Sequence, residues 1–404
     1  MIITESLQTK VTKQCDVLVC GGGFAGISAA LASVRQGRKT ILLEKQFILG
    51  GLGTAGLVTI FLPLCDGVGH QVSFGIAEEL FRLAISMGAE DRYPENWLDC
   101  ADPSKRTEKD KRFEVRYNPQ LFAILAEQLL VKEGVEILYG SYAVSVTTNV
   151  DKIESVIIEN KSGRQAIVTK SVVDATGDCD IAYFAEAPTE IFKQGNVLAA
   201  WYYFLNETGY HLNTLGVADI PEDQKTKENQ VEMLDPNRFT GLDGEELSYM
   251  TRRSHQAVLQ DVLKHRVKDK TLIPTSIATI PQVRMTRKIV GEYVLHDTEM
   301  HTYFEDSIGM ISDWRKRGPV YEIPFSALYS KKVKNLITAG RCISVTDSMW
   351  DISRVIPACA VTGQAAGTAA ALTDDFTILD VKKLQQILIN SGVVLHESNE
   401  YCEV

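Results

Sequence analysis

Apolar positions between residues 15 and 44 follow a strand pattern, then a helix pattern, then a strand pattern again. The run CDVLVC is apolar and β-prone, as expected of a strand buried on both faces. In the stretch that follows, Ile27, Ala30, Leu31 and Val34 recur at helical spacing, and Gly37 stands where that helix would end. The run KTILLE predicts a second strand. Together the three segments predict a β-α-β unit.

Two further helices and a small antiparallel sheet are predicted before residue 177. The segments SFGIAEELFRLAISMG and PQLFAILAEQLLVKEGV have helical patterns, and the second carries proline in its first turn. Three alternating runs then follow, EILYGSYAVSVTT, KIESVIIEN and RQAIVTKSVVDAT. A short turn separates the first run from the second, and another separates the second run from the third. This order predicts a three-stranded antiparallel meander that returns to the main sheet.

The remaining pattern predicts a discontinuous arrangement of domains. From about 187 to 325 it is irregular, with a helix near 245–266 and strands near 197–205 and 289–296. We therefore predict a nucleotide-binding domain from residues 1–186 and 326–375, an inserted α+β substrate domain at 187–325, and a C-terminal helix and tail at 376–404. The fold class expected is α/β, with a Rossmann-like domain made of a parallel sheet, helices and the meander.

Composition and charge restrict the kinds of partner and metal site that the protein is expected to have. The 404-residue chain has a formal net charge of -10 at pH 7, which disfavours nucleic acid and anionic membranes as main partners. No apolar run approaches the roughly 18–20 residues of a membrane span, and no secretory signal is evident. The eight cysteines contain no CxxC pair, and the histidines show no metal-ligand spacing. We expect a cytoplasmic protein without a metal site.

The glycines that follow the first strand predict a dinucleotide site. In Gly21-x-Gly23-x-x-Gly26 the first glycine makes a tight turn, the second lets the backbone approach a pyrophosphate, and the third lets helix and strand pack closely. Glu44 ends the second strand, where an acidic residue is expected to hold a ribose hydroxyl. These features leave NAD and FAD open.

Later segments favour a flavin. A second glycine cluster, QFILGGLGTAGLV, comes directly after Glu44, where an NAD-dependent dehydrogenase would continue with simple βα units. The run RVIPACAVTGQAAGTAAAL predicts the start of a helix rich in glycine and alanine. Such residues allow a planar ring close to backbone amides, and a helix N-terminus stabilises the negative charge of a reduced flavin.

With these segments the sequence resembles the FAD-dependent oxidoreductases of the two-dinucleotide-binding-domain flavoproteins, related to p-hydroxybenzoate hydroxylase and fumarate reductase. The motifs VLVCGGGFAGISAAL, LLEK, GGLGTAGLV, VVDATGD, RMTRKIVGEY and NLITAGRCIS carry the resemblance, together with the glycine- and alanine-rich segment, over residues 13–372. The resemblance implies FAD as cofactor and a small-molecule substrate of unspecified identity.

The resemblance also implies a set of cofactor contacts. For the pyrophosphate and the adenosine half these are Gly21, Gly23, Phe24, Ala25, Gly26, Glu44, Lys45, Ala143, Thr176, Gly177 and Asp178. For the ribityl chain, phosphates and flavin ring they are Gly50, Gly51, Thr54, Gly340, Arg341, Gly363, Gln364 and Ala366. Arg341 occupies a turn where the family often carries aspartate, which departs from the usual carboxylate contact to the ribityl chain.

Four residues are candidates for substrate binding or catalysis. Arg284 and Arg287 form an R-x-x-R-x-x-x-G pattern. On a helix both could clamp a carboxylate, whereas on a strand they point apart, and the alternative is ion pairing at a domain seam. His70 is a candidate proton donor or flavin contact, against a structural role in its loop. Trp350 is a candidate substrate contact, against a packing role.

The expected function is that of an FAD-dependent oxidoreductase that passes a hydride or two electrons between flavin and a small organic substrate. We hypothesise that this substrate is anionic. An FAD-dependent monooxygenase and a flavin-binding protein without turnover stay open, as do the electron donor or acceptor and the oligomeric state. No second GxGxxG between a strand and a helix follows Gly26, so no dedicated NADPH domain is expected.

Overall fold

The computed structural model of the protein describes residues 2–86, 115–216 and 233–398. Its strands up to the meander are β1 Lys10–Cys20, β2 Thr40–Leu43, β3 Ile60–Phe61, β4 Val115–Arg116, β5 Glu136–Leu138, β6 Tyr142–Asn149, β7 Lys152–Asn160 and β8 Gly163–Asp174. The later strands are β9 Thr189–Ile191, β10 Ala200–Asn206, β11 Gly209–Leu215, β12 Ile273–Ile277, β13 Arg287–Ile289, β14 Ser307–Ser312, β15 Val320–Pro324 and β16 Leu336–Thr338. The helices are α1 Phe24–Arg35, α2 Ile76–Ile85, α3 Pro119–Glu133, α4 Asp180–Phe184, α5 Gly244–Arg266, α6 Asp347–Ser353, α7 Ile356–Leu372 and α8 Val381–Asn390.

The main sheet has the predicted mixture of parallel and antiparallel strands, so the α/β fold class is confirmed. Its order is β5-β2-β1-β8-β7-β6, with β16 also paired to β8. Strands β5, β2, β1, β8 and β16 are parallel neighbours, whereas β6, β7 and β8 form the antiparallel meander. Strand β8 pairs with β7 up to Val168 and with β16 from Val172, so one long strand joins both parts of the sheet.

The predicted first strand of the meander is in fact two strands. The run from residue 136 to 148 divides into β5, which lies beside β2 at the far edge of the sheet, and β6, which belongs to the meander. Gly140 lies between them with a φ of 57°, a left-handed conformation that breaks a strand and that glycine adopts readily. The bounds of the strand predicted near 289–296 are wrong, because β13 spans Arg287–Ile289 and shares only Ile289 with that prediction.

The chain between β9 and β13 forms a second sheet. Strands β11, β10 and β12 form it, and α5 packs on one face through Val258 and Val262. The opposite face packs Trp201 and Tyr203 against Leu57. The predicted helix near 245–266 thus has the role of covering this sheet.

The hairpin β14–β15 lies in the main core, since Ile308 and Tyr321 pack there together with α7 residues. The predicted domain boundary at residue 325 therefore falls at the end of a hairpin that packs with the main core. Within the described ranges no single helix has the length and apolar composition of a membrane span, although the bent pair α6–α7, with 91° between its members, meets both criteria together.

Helices α1 and α7 approach each other closely enough for backbone contact. A Cβ atom on Gly363 would lie 2.2 Å from the carbonyl oxygen of Ala25, and one on Gly367 would lie 2.0 Å from that of Ala29. Both distances are far below van der Waals contact, and the atoms met are backbone atoms that cannot rotate away. The glycines of α7 therefore fix the separation of the two helices.

We expect Gly367→Ala to lower the free energy of unfolding of the apoprotein by about 1–3 kcal/mol, because the added methyl group overpacks the contact with α1. This is opposite to the effect that helix propensity alone would give. Urea denaturation monitored by circular dichroism measures it. The control is Gly244→Ala at the start of α5, where a Cβ would meet nothing within 4 Å and stability should not fall. Equal stability of the two variants would contradict the close contact.

Candidate functional site

The three glycines of the first loop have three different environments. Gly21 has a φ of 103°, and a Cβ on it would lie 2.3 Å from the carbonyl oxygen of Ala175. A Cβ on Gly26 would lie 1.7 Å from the carbonyl oxygen of Gly21. A Cβ on Gly23 would meet no atom within 4 Å. The first and third glycines are thus required by the fold, whereas the second leaves open space where a phosphate group can approach the backbone.

This open space belongs to a cavity of about 420 Å³. It runs between the carboxyl ends of β1, β2, β8 and β16, which is where nucleotides bind in open α/β sheets. Most of the predicted cofactor contacts line it, namely Gly21, Gly23, Phe24, Ala25, Glu44, Lys45, Gly50, Gly51, Ala143, Thr176, Gly177, Asp178, Gly340 and Arg341. These residues, from six separate chain segments, therefore meet around one cavity.

Glu44 connects the end of β2 to the glycine loop. Its carboxylate accepts hydrogen bonds from the backbone N–H groups of Gly22 at 2.8 Å and Gln46 at 2.7 Å. Burial of the side chain raises its pKa, and the hydrogen bonds oppose that shift. A carboxylate has about four acceptor positions, so it keeps capacity for a ribose hydroxyl while holding the loop.

The predicted residues Lys45, Asp178 and Arg341 form one charged group on the cavity wall. The Asp178 carboxylate lies 3.7 Å from the Nζ atom of Lys45 and 3.5 Å from the Nη2 atom of Arg341. The Nη1 atom of Arg341 also donates to the carbonyl of Arg284 at 2.8 Å. Arg341 thus links the loop after β16 to the segment before β13, a role that the usual aspartate could not fill.

Five of the predicted contacts lie away from the cavity lining: Gly26, Thr54, Gly363, Gln364 and Ala366. The Thr54 hydroxyl donates to the carbonyl of Leu49, and the side-chain oxygen of Gln364 accepts from the backbone N–H of Ile76 at 2.8 Å, at the start of α2. Gly26 and Gly363 serve the backbone contacts described above, and Ala366 is fully buried. Thr54 and Gln364 thus support the site through hydrogen bonds, and Gly26, Gly363 and Ala366 support it through packing.

Residues earlier in the same segment line the cavity in their place. Helix α7 begins at Ile356, and Arg354, Ile356 and Cys359 face the cavity. The glycine- and alanine-rich stretch therefore begins two turns inside the helix and packs on α1. The helix start predicted within RVIPACAVTGQAAGTAAAL is confirmed, and Pro357 lies in the first turn, where proline is favoured.

The two arginines of the R-x-x-R pattern separate in the structure. Arg287 is the first residue of β13, and Arg284 precedes it in irregular backbone, so they share no helix face. The Nη2 atom of Arg287 donates to Asp180 at 3.0 Å, and its Nε atom donates to the carbonyl of Asp178 at 3.1 Å. Its guanidinium also lies 4.0 Å from the ring centre of Tyr183. Arg287 therefore forms an ion pair at the domain seam, which was the alternative to a carboxylate clamp in the sequence analysis.

Arg284 is buried and makes no ion pair with any residue of 2–86, 115–216 or 233–398. Its Nη1 atom donates to the carbonyl of Gln282 at 3.1 Å, and its guanidinium lies 5.3 Å from the ring centre of Trp201. Its Nη2 atom is buried without a hydrogen-bond partner among the described residues. Burial, together with the nearby cations Arg354 and Arg341, lowers the pKa of Arg284 to about 9. The group is still protonated at neutral pH.

His70 and Trp350 lie outside the cavity lining. The Nδ1 atom of His70 pairs with Asp66 at 2.8 Å in the loop before α2. Trp350 is fully buried, and its Nε1 atom donates to the carbonyl of Arg341 at 2.8 Å. The tryptophan thus supports a residue of the cavity wall. Among the described residues no group of three or more His, Cys, Asp or Glu could hold a metal ion.

A sequence model of the family described as FAD dependent oxidoreductase matches residues 16–200 and 198–388. The protein therefore belongs to the FAD-dependent oxidoreductase family, it is an enzyme of that kind, and FAD is its cofactor. The cavity fits this cofactor through the open approach at Gly23 and the buried carboxylate of Glu44.

The individual proteins that resemble this chain do so at low sequence identity or over a short segment. The tRNA uridine 5-carboxymethylaminomethyl modification enzyme MnmG of Lactobacillus delbrueckii subsp. bulgaricus is 34% identical over 82 residues, which are 20% of this chain and 12% of that enzyme. The p-nitrophenol 4-monooxygenase PnpA of Pseudomonas putida has 13% identity and a TM-score of 0.45 over 97% of this chain and 83% of its own. A flavocytochrome c3 fumarate reductase in its open conformation has 14% identity and a TM-score of 0.41 over 89% and 78%.

We expect Gly23→Ala and Gly26→Ala to separate cofactor binding from folding. The first adds a methyl group to open space, so the apoprotein should stay as stable as wild type while FAD binds at least tenfold more weakly, about 1.4 kcal/mol. The second forces the methyl group into the carbonyl of Gly21 and should cost the apoprotein about 1–3 kcal/mol of stability.

Flavin-fluorescence titration of the apoprotein measures the first effect, and denaturation without FAD measures the second. Wild-type FAD affinity in a folded Gly23→Ala variant would show that no phosphate approaches that glycine.

Proposed function

We propose that this protein transfers a hydride, or two electrons, between bound FAD and a small organic substrate that carries an anionic group. We place the adenosine half of FAD near Glu44 and the flavin ring at the first turn of α7. FAD supplies the redox chemistry, and the protein supplies binding, orientation and the electrostatic environment of the ring.

The observation that carries this proposal is the position of Arg354, which lines the cavity directly before α7. The Nε atom of Arg354 donates to the Asp351 carboxylate at 3.0 Å, and the Nη2 atom of Arg354 donates to the same carboxylate. The Nη1 atom of Arg354 has no hydrogen bond to any residue of the described ranges. A guanidinium fixed on one side in this way keeps a donor for a carboxylate on the other.

The start of α7 adds to the positive electrostatic potential that Arg354 produces in the cavity. Its N-cap residue Val355 provides no side-chain hydrogen bond to the first turn, and Pro357 occupies that turn. The positive end of the helix dipole is therefore available to a negative charge in the cavity. This favours an anionic group near the flavin ring, whether on the ring or on the substrate.

We assign substrate selection to the inserted domain at 187–325. It contributes Gly241, Leu247, Ile280, Pro281 and Val283 to the cavity wall. The part of the wall that this domain contributes is therefore mainly apolar, which suits a substrate with an organic body and one charged end.

The redox assignment predicts that small hydroxy or amino acids reduce the flavin directly. Under anaerobic conditions the oxidised protein should lose its flavin absorbance with a suitable acid, without NADPH. Oxygen admitted afterwards should restore the absorbance without oxygen entering the product. Rapid saturable reduction by NADPH followed by substrate hydroxylation would instead identify a monooxygenase. A flavin that neither acids, dyes nor dithionite reduce would indicate a structural cofactor.

The anion assignment predicts a difference between two buried arginines. Small dicarboxylates should perturb the flavin spectrum with saturation, and chloride should not. Arg354→Met should weaken dicarboxylate binding at least tenfold, because it removes the donor that faces the cavity. Arg287→Met, whose arginine is held by Asp180, should stay within about twofold of wild type. Equal effects of both variants, in protein that retains FAD, would contradict the role of Arg354.

A further inference from the structure

Behind the end of the cavity near α7 lies a largely buried group of five charged residues: Arg284, Arg315, Arg354, Asp313 and Asp351. Asp351 accepts from Arg354 and, at 3.2 Å, from Arg315. Asp313 accepts from Arg315 at 3.1 Å. Two carboxylates therefore serve two of the three guanidiniums.

Arg284 is the member without a carboxylate partner within the described ranges. It is 5% exposed, and its Nη2 atom has no partner there. Its charged neighbours are Arg354 and Arg341, which repel it, and Asp351, which attracts it but is already shared. Keeping an unpaired cation buried costs free energy, and a nearby anion would offset that cost.

The charge of Arg284 lies behind the cavity surface. Val283 lines the cavity and Arg284, the next residue, does not. The carbonyl of Arg284 accepts from Arg341, whose side chain does line the cavity. A ligand in the cavity would therefore sense Arg284 through its field, which decays slowly in a poorly solvated interior, and would not touch it.

We propose that Arg284 raises the reduction potential of bound FAD by stabilising the negative charge that the flavin ring gains on two-electron reduction. The proposal rests on the position of the ring at the first turn of α7 given under the proposed function. It does not depend on the identity of the substrate. Arg284 is thus a residue that tunes the cofactor from behind the cavity wall.

The same positive field should favour addition of sulfite to the oxidised flavin. In that reaction the lone pair of sulfite forms the bond to the ring, and the ring takes up the negative charge. No oxidant or reductant is consumed. Sulfite affinity therefore reports on the local potential independently of turnover and of any physiological substrate.

The test compares wild type with Arg284→Met, which removes the charge at similar length, and Arg284→Lys, which keeps it. Arg164→Met is the control, because Arg164 pairs with Glu159 in a solvent-accessible hairpin. For each FAD-loaded protein, the two-electron equilibrium with a reference dye and the sulfite dissociation constant are measured by absorbance.

We expect Arg284→Met to lower the reduction equilibrium constant at least tenfold, about 30 mV for a two-electron couple, and to weaken sulfite binding by a similar factor. Arg284→Lys and Arg164→Met should remain within about threefold of wild type. A wild-type potential and sulfite affinity in Arg284→Met would overturn the proposal. So would equal losses in the lysine and methionine variants, since the charge would then not be the cause.

Two further results separate this inference from the proposed function. If Arg354→Met lowers the potential and Arg284→Met does not, the ring position stands and the inference about Arg284 fails. If neither variant changes the potential, the assumed ring position itself fails. Should Arg284→Met not retain FAD, Arg284→Gln replaces it, and loss of FAD in both variants would contradict a role through charge alone.

Discussion

The geometry of the site depends on backbone contacts around the first turns of α1. Gly21 approaches Ala175 at the end of β8, Gly26 approaches Gly21, and Gly363 of α7 approaches Ala25. Each contact is short enough to exclude a side chain. They hold the start of α1, the end of β8 and the body of α7 in one arrangement, and the cavity is the space left between them. The N-terminal ends of both helices consequently line the same cavity, which suits an anionic cofactor.

Charge is distributed unequally along that cavity. At the Glu44 side the carboxylate of Asp178 is shared between Lys45 and Arg341, and Asp180 pairs with Arg287, so the charges are close to balanced. At the α7 side Asp351 is shared by two arginines, and no carboxylate in the part of the chain that the structure describes pairs with Arg284. The pyrophosphate region relies on backbone N–H groups, and the other end relies on unbalanced cations. A cofactor spanning both would have its redox-active part in the more positive field.

The elements with strong local signals were predictable from the sequence. Helices α1, α3 and α5 and the last two strands of the meander follow a clear period, because a buried face repeats every two or every 3.6 residues. Strands β1 and β2 were instead recognisable as short apolar runs buried on both faces. The division of the 136–148 run was missed, since the alternation continues through Gly140 and only the left-handed φ at that glycine breaks it. The start of α7 lies within the run predicted for it, but Gly363, Gln364 and Ala366 lie inside the helix and outside the cavity lining, which the glycine and alanine pattern did not show.

The roles of the two arginines could not be decided from spacing. Arg287 is engaged because Asp180 and Tyr183, more than a hundred residues earlier in the chain, lie on the helix that faces β13. Within the described ranges Arg284 has no carboxylate partner, because the neighbouring carboxylate of Asp351 is already shared by Arg354 and Arg315. Both outcomes depend on tertiary contacts between segments that are far apart in sequence. A motif can therefore place a charge at a seam, but whether that charge is neutralised or left to act on a ligand is decided by which carboxylates the rest of the fold brings to it.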